Sequence, residues 1–301
     1  MKVLYISSGN SVKGISPIIL NQGESLRKAC VDVKYFSIKG KGAVAYIQHI
    51  FLLRKYIRKG HFDIYHAHYS LSAITATLAG CNPLVVSLMG SDSKTSFILK
   101  TLIRLLSTLW WKSVIVKSES MRKDIRINKS VVIPNGVDLF KVKPVGVHSS
   151  SSKKKILFAA NPQRYEKNFT LAKSAFSLVN DPKLELCVVH SISHDEILSE
   201  INTSDIVLLT SRWEGSPNII KEAMACNCPI VATDVGDVKW ILGNTKGCFI
   251  TSLDPEDVAK KIKAALNFGK RTNGRKRIIE LELDSEIIAG RIIQIYKELL
   301  N

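Results

Sequence analysis

Two glutamates eight residues apart, Glu214 and Glu222, flank a Gly-Ser-Pro-Asn turn in a chain of 301 residues. Carboxylates at such positions accept hydrogen bonds from hydroxyl groups. Between them the backbone of Gly215, Ser216, Pro217, Asn218 and Ile219 opens a predicted helix, whose unpaired N–H groups and dipole favour an anion. An anion flanked by two polyol-reading carboxylates describes a nucleotide sugar: diphosphate in the middle, hexose at one end, ribose at the other. A second set lies upstream. Arg164 and Lys167 precede another predicted helix, which Asn168 is expected to cap, and cations beside free helical N–H groups suit a diphosphate.

These residues need elements to hold them. Ile206–Thr210 and Pro229–Thr233 are short apolar runs of the kind that make buried parallel strands. Between them Ser216 is expected to cap a helix that has Pro217 as its first residue and runs Asn218–Cys226. Its buried side is predicted as Ile219, Ile220, Ala223 and Met224, which leaves Asn218 and Glu222 on the other face. A helix joining two parallel strands puts its N-terminal loop at the carboxyl edge of the sheet, where ligands bind. The plain alternative is a crossover helix with exposed acids.

The first half alternates in the same way. Strands are expected at Val3–Ile6, Val31–Phe36, Ile64–His66, Leu84–Leu88, Val114–Val116 and Val131–Ile133. Helical patterns fall at Ile15–Lys28, Val44–Lys59, Leu71–Ala79, Phe97–Trp111 and Glu119–Ile127. The class is α/β with doubly wound parallel sheets. The loop after the first strand contains Gly14 but is not GxGxxG, so a dinucleotide cofactor is unsupported. His66 and His68 share a strand face, which suits two metal ligands, but no third follows and no metal site is expected. No DxD motif occurs, and no carboxylate pair stands out as a hydrolase acid and nucleophile.

The string EGSPNIIKEAMACNCPIVATDVG, from Glu214 to Gly236, resembles the donor-site signature of retaining family 4 (group 1) glycosyltransferases, and the resemblance extends over almost the whole chain. It implies a GT-B fold: two Rossmann-like domains facing a central cleft, 1–145 for the acceptor and 146–301 for the donor. It also implies a last helix, about 284–300, returning to the first domain. By the resemblance Glu222 holds the ribose, Glu214 and the backbone from Gly215 to Asn218 hold the transferred sugar, and Gly14 touches the diphosphate. Lys167 matches the family's Lys-Asn, whereas Arg164 lies nearer to it than the family's arginine. DIYHAHYS resembles the HxH segment, placing His68 on the acceptor side. VVSLMGSD has Met89 where the family carries a histidine, which leaves Asp92 to orient the acceptor hydroxyl or to cap the next helix. IPNGVDLF resembles the interdomain hinge, followed by a polar linker at 145–155.

The net charge is +17 and uneven: residues 1–145 hold 22 Lys and Arg against 7 Asp and Glu, the remainder 21 against 19. Tyr46–Lys59 and Thr95–Lys117 mix leucines, aromatics and cations without an acid, a pattern suited to an anionic membrane interface. No basic recognition helix or stacking platform appears, so no nucleic-acid partner is expected. Met1–Ser8 reads as a first strand rather than a signal peptide. The six cysteines show no metal spacing and suit a reducing compartment. The expectation is therefore a cytoplasmic, peripheral-membrane transferase without cofactor. Its donor would be a UDP- or GDP-sugar, and its acceptor a lipid-linked saccharide of cell-surface polysaccharide synthesis. A non-catalytic sugar-nucleotide-binding subunit is the alternative; an epimerase would share the architecture.

Overall fold

The computed structural model describes residues 1–11, 14–40, 42–146 and 153–301, with Ala43 described by its backbone alone. Sequence readings that touch Val12, Lys13 or 147–152 of the linker lie outside the described residues. The chain forms two units, Met1–Gly136 with Ser285–Asn301, and Val137–Asp284. The crossing from the first to the second falls nine residues before the 145/146 boundary read from the sequence. Val137–Gly146 is claimed by the second unit through polar ties: Arg275 donates to the carbonyls of Leu139 and Val142 at 2.6 Å, and Asn202 Oδ1 accepts from Val145 N at 2.9 Å.

The first unit is a six-stranded parallel sheet in the order β2-β1-β3-β4-β5-β6. Its strands are β1 (Lys2–Ser8), β2 (Asp32–Ile38), β3 (Ile64–His68), β4 (Leu84–Ser87), β5 (Ser113–Val116) and β6 (Ser130–Val132). The helices between them are α1 (Pro17–Lys28), α2 (Gly42–Lys59), α3 (Ser70–Ala79), α4 (Phe97–Leu109) and α5 (Glu119–Ile125). A core on one sheet face joins Leu4, Ile6, Val86 and Val116 to Leu53 of α2, Ala73 and Ala76 of α3, Ile103 and Leu106 of α4, and Ile125 of α5. The inner strands β1, β4 and β5 are near-continuous apolar runs because both sheet faces are covered there, whereas the edge strand β2 carries exposed Asp32 and Lys34.

The second unit is a five-stranded parallel sheet in the order β11-β10-β9-β7-β8. It comprises β7 (Lys154–Phe158), α6 (Phe169–Val179), β8 (Leu184–Val188), α7 (His194–Thr203), β9 (Ile206–Leu209), α8 (Asn218–Ala225) and β10 (Ile230–Thr233). The chain continues through α9 (Val238–Leu242), β11 (Cys248–Thr251), α10 (Pro255–Phe268) and α11 (Gly274–Glu280). The chain starts at β7, adds β8 on one side, then returns to add β9, β10 and β11 on the other. That reversal is the switch point at which an open α/β sheet forms its crevice. Beyond it α12 (Ser285–Leu300) belongs to the first unit and packs on α1.

Two local readings are corrected. Ser216 does not cap α8: the cap position is Pro217 and the helix begins at Asn218, because the Ser216 hydroxyl is taken by Lys221 Nζ at 2.6 Å. Asn168 stands at the cap of α6 in the left-handed region, φ 52°, but makes no capping bond; its Oδ1 accepts from Arg212 Nη2 at 3.0 Å. The buried side of α8 also differs. Ile220, Ala223 and Met224 are buried as expected, while Ile219 is half-buried and Lys221 is fully buried.

Candidate functional site

Four loops leave the carboxyl ends of β7, β8, β9 and β10 and bring their polar residues to one edge. The loop after β7 carries Lys167, the loop after β8 leads into His194, the loop after β9 carries Glu214, and the loop after β10 carries Asp237. Lys167 and Glu214 meet across the switch point: Lys167 Nζ donates to Glu214 Oε1 at 2.5 Å, and Ser211 Oγ donates to the same oxygen at 2.8 Å. Both side chains are only 15% exposed. The loops are laced by backbone ties. Thr210 Oγ1 donates to the carbonyls of Lys167 and Asn168 at 3.1 Å, Thr233 Oγ1 to Ser211 O at 2.7 Å, and Arg212 N to Glu166 O at 2.8 Å.

Glu222 is 12% exposed on α8, and its Oε1 faces His194 Nε2 at 3.0 Å. That hydrogen bond raises the His194 pKa, against the opposing cost of burial. Both glutamates are thus sheltered at the edge rather than turned to bulk water. Asn218 Oδ1 is buried at the same helix start without a hydrogen-bond partner among the described residues.

Behind the loop lies an ionic core. Helical side chains lean toward the N-terminus of their helix, so Lys221 reaches back to Ser216. Burial lowers its pKa to about 8, while the charges of Asp237 and Glu222 pull it the other way. Burial raises the pKa of Asp237, and Lys221 and the Ser216 hydroxyl pull it down. Gly236, at φ 63°, closes the contact: a Cβ there would lie 2.6 Å from the carbonyl oxygen of Gly215. The Gly215–Pro217 loop is therefore pinned from below by a buried cation and from the side by a glycine.

Arg164 is not gathered into this set. Its guanidinium pairs with Glu166 through Nε at 2.6 Å, and its side chain is 58% exposed. Arg212 is the nearer arginine to Asn168; it also lies over the Tyr165 ring at 4.7 Å.

The first unit places its candidates at the carboxyl edge of its own sheet. His68 ends β3 fully buried, stacked on His66 at 4.5 Å and edge-on to Tyr5 at 4.5 Å, and neither ring nitrogen has a hydrogen-bond partner among the described residues. His66 contacts Tyr296 Oη at 2.5 Å and Ser87 Oγ at 2.8 Å. Burial and the nearby Lys117 charge push the His66 pKa down to about 3, and burial likewise keeps His68 neutral. Asp92 is buried with both oxygens engaged: Oδ1 accepts from Ser70 N and Oγ at 3.1 and 2.7 Å, Oδ2 from Met89 N at 2.7 Å. Burial raises its pKa, and these bonds offset part of the rise. It caps α3 from a distant loop, with Met89 buried beside it. Gly14 adopts φ 87° in a turn exchanging backbone bonds with Ser11 at 2.8 and 3.0 Å; no atom crowds it. Among the described residues, no group of three or more His, Cys, Asp or Glu side chains is placed to hold a metal ion.

A family model described as glycosyl transferases group 1 matches residues 185–280, and one described as glycosyltransferase family 4 matches residues 16–140. Each unit of the chain thus matches a glycosyltransferase family model, group 1 in the second and family 4 in the first. A UDP-Gal:alpha-D-GlcNAc-diphosphoundecaprenol alpha-1,3-galactosyltransferase of Escherichia coli is 24% identical over 257 residues, 68% of this chain and 66% of that protein. An uncharacterized glycosyltransferase of Methanocaldococcus jannaschii is 28% identical over 107 residues, 31% of this chain and 30% of that protein. The matched stretch is less than two thirds of either curated relative. Among solved structures, the sucrose-phosphate synthase of Thermosynechococcus elongatus superposes with a TM-score of 0.83 at 16% identity, over 99% of both chains. Anabaena HepE in complex with UDP superposes with a TM-score of 0.75 at 16% identity, over 99% of this chain and 100% of that one. At such identity the likeness is one of fold: two parallel-sheet, Rossmann-like units of the GT-B class.

Within this site, sequence reasoning missed four residues. Ser211 and Asp237 lie in loops with no periodicity to mark them. Lys221 was hidden by its own charge, which reads as exposed. His194 had a usable signal: Ser193 and Glu196 form a capping box, with bonds of 3.2 and 2.7 Å, that announces the helix carrying it.

Proposed function

We propose that the chain is a retaining, metal-independent glycosyltransferase that moves a hexose from a nucleoside-diphosphate sugar to a lipid-linked saccharide. The second unit takes the donor and the first takes the acceptor. The observation that carries the reading is the Lys167–Glu214 contact, sheltered across the switch point and beside the Gly215–Pro217 loop. In the absence of donor the two charges satisfy each other. When the donor enters, Lys167 turns to the diphosphate and Glu214 to the hydroxyls of the hexose. Glu222, held by His194, accepts from the ribose.

The acceptor hydroxyl oxygen bonds to the anomeric carbon as the bond from that carbon to the phosphate oxygen breaks. The hydroxyl proton passes to the departing diphosphate on the same face, so configuration is retained. Charge growing on the diphosphate is met by Lys167 and the α8 N-terminus, preorganised donors of the kind that contribute most to such steps. Asp92 acts on the acceptor side by fixing the Met89–Ser93 turn against α3, and neutral His68 offers two ring nitrogens to hydroxyls. Arg164 is the more peripheral of the two cations in this reading, since its guanidinium is taken by Glu166. The names of the relatives support a UDP-hexose donor and a diphosphate-linked polyprenol acceptor. That chemistry would place the protein on the inner face of the cell membrane, in cell-surface polysaccharide synthesis; GDP-sugars remain in the donor panel.

The test is transfer from radiolabelled UDP- and GDP-hexoses to lipid diphosphate saccharides, with and without chelator, and with the anomeric configuration of the product read by NMR. Product that forms in chelator with retained configuration is expected; no transfer or donor hydrolysis with any common donor would overturn the reading. A second reading, a sugar-nucleotide-binding subunit without turnover, is favoured by Met89, which cannot hydrogen-bond a reacting group as a histidine can. Donor binding by calorimetry with no product would establish it.

A further inference from the structure

The three helices α2, α3 and α4 lie side by side on one face of the first sheet. Arg54 Nη2 on α2 donates to Leu78 O on α3 at 2.5 Å, and Trp111 Nε1, just past α4, donates to Thr77 Oγ1 of α3 at 2.9 Å. Their inner sides fill one core with the sheet, yet their outer sides are apolar as well. On α4, Leu99, Ile103 and Leu106 face inward, whereas Ile98, Leu102, Leu105 and Leu109 form a second stripe that nothing covers. Phe97 and Ile98 are 77% and 80% exposed at its start, and Phe51 of α2 is 67% exposed. A helix apolar all round is ordinarily one that is buried all round.

Charge says what covers it. The three helices carry no Asp or Glu, while Lys55, Arg58 and Lys59 lie in the last turns of α2 and Lys100 in the first turn of α4. Between α2 and α3 runs an apolar groove of about 330 Å³, lined by Tyr46, Ile47, Ile50, Leu71, Ile74 and Leu78. Among the described residues no helix is long and apolar enough to cross a membrane, so contact would be interfacial. Aromatic and aliphatic side chains accompanied by cations suit an anionic bilayer surface.

The geometry points to this three-helix face as the docking surface for an anionic bilayer, with the α2–α3 groove receiving a hydrocarbon chain from it. The inference deepens the proposed function, since it rests on a lipid-linked acceptor and names the part of the acceptor that the groove would hold. Phe97 and Ile98 enter the acyl region, and the cations stay at the headgroups.

The full chain is tested by flotation, without any nucleotide sugar, on phosphatidylcholine vesicles and on vesicles with added phosphatidylglycerol. Stronger binding to the anionic vesicles is expected, weakening as salt screens the cations. Phe97→Ser with Ile98→Ser should lower partition by about tenfold at an unchanged melting temperature, because both residues are exposed. A benzophenone-bearing isoprenyl phosphate in those vesicles should label peptides of α2 and α3, and Leu78→Trp should suppress that labelling at an unchanged melting temperature, because Leu78 is half exposed. Equal binding to both vesicles, or full binding by the Phe97/Ile98 variant, overturns the docking surface; labelling confined to other elements overturns the groove. A donor-induced thermal shift measured separately keeps the outcomes apart: shift without flotation sinks the surface alone, flotation without shift sinks the transferase reading alone.

Discussion

The two carboxyl edges are built from the same strand–helix units but handle charge in opposite ways. In the second unit Lys167 faces Glu214, His194 faces Glu222, and Lys221 lies buried with Asp237 opposite and Ser216 in contact. In the first, the rings of His66 and His68 stack as neutral groups with Tyr5 edge-on to both, beside the charge of Lys117, and Asp92 is held by uncharged donors. On the proposed function the contrast is a division of labour. A diphosphate requires fixed opposite charge at short range, held ready before it arrives. A saccharide hydroxyl requires neutral donors and acceptors that a buried ring can offer without a counter-ion.

The sharpest way to break that contrast is Lys167→Ala. Removing one preorganised donor at a developing anion should lower kcat/KM by roughly 10²–10³-fold, whereas His68→Ala in the first unit should cost markedly less, as steady-state kinetics with varied donor and acceptor would show. Equal losses would erase the division. Next in size is the buried pair. Lys221→Leu alone or Asp237→Asn alone should each destabilise by roughly 3–5 kcal/mol, because each strands a buried charge. The double variant should recover much of that loss in urea unfolding, and strict additivity would show that the two do not interact.

Acid and base should then separate the two edges. His66 titrates near 3 in the fold against 6.5 in the unfolded chain, so the unfolded state binds more protons between those values. Stability should fall as pH drops from 6.5 toward 3, and His66→Gln should flatten that limb of the melting-temperature profile. Lys221 titrates near 8 against 10.5, again with more protons bound when unfolded. Its contribution should therefore rise with pH between 8 and 10.5, and Lys221→Leu should remove the rise. The smallest effect is expected at Arg164→Ala. An exposed pair with Glu166 contributes about 0–1 kcal/mol, so a change in donor KM of less than about fivefold is expected; a loss matching Lys167→Ala would place Arg164 inside the site.

Much of this architecture was legible in the residues. The apolar runs at Val3–Ile6, Leu84–Leu88 and Ile206–Thr210 fall on β1, β4 and β9 because a strand buried on both faces can be little else. The Glu214–Gly236 string located the loop, helix and following strand. Local capping was misread at Ser216 and Asn168, since each side chain found a distant partner that outcompeted the helix end. Arg164 and Lys167 were read as one diphosphate clamp, with Lys167 the better match, and the turn sends Arg164 outward to Glu166 and Lys167 inward to Glu214. Asp92 had two readings on paper, and the fold adds what no spacing could: its Oδ1 caps α3, a helix more than a dozen residues upstream, while Oδ2 accepts from Met89 N.

By itself, then, the sequence determined which segments are strands and helices, because that follows from the period of apolar side chains and from a few neighbouring residues. Only the tertiary structure decided which charges meet. Lys167 with Glu214 and Glu222 with His194 are pairs separated by 47 and 28 positions. They become neighbours because parallel strands deliver every loop to the same edge of the sheet.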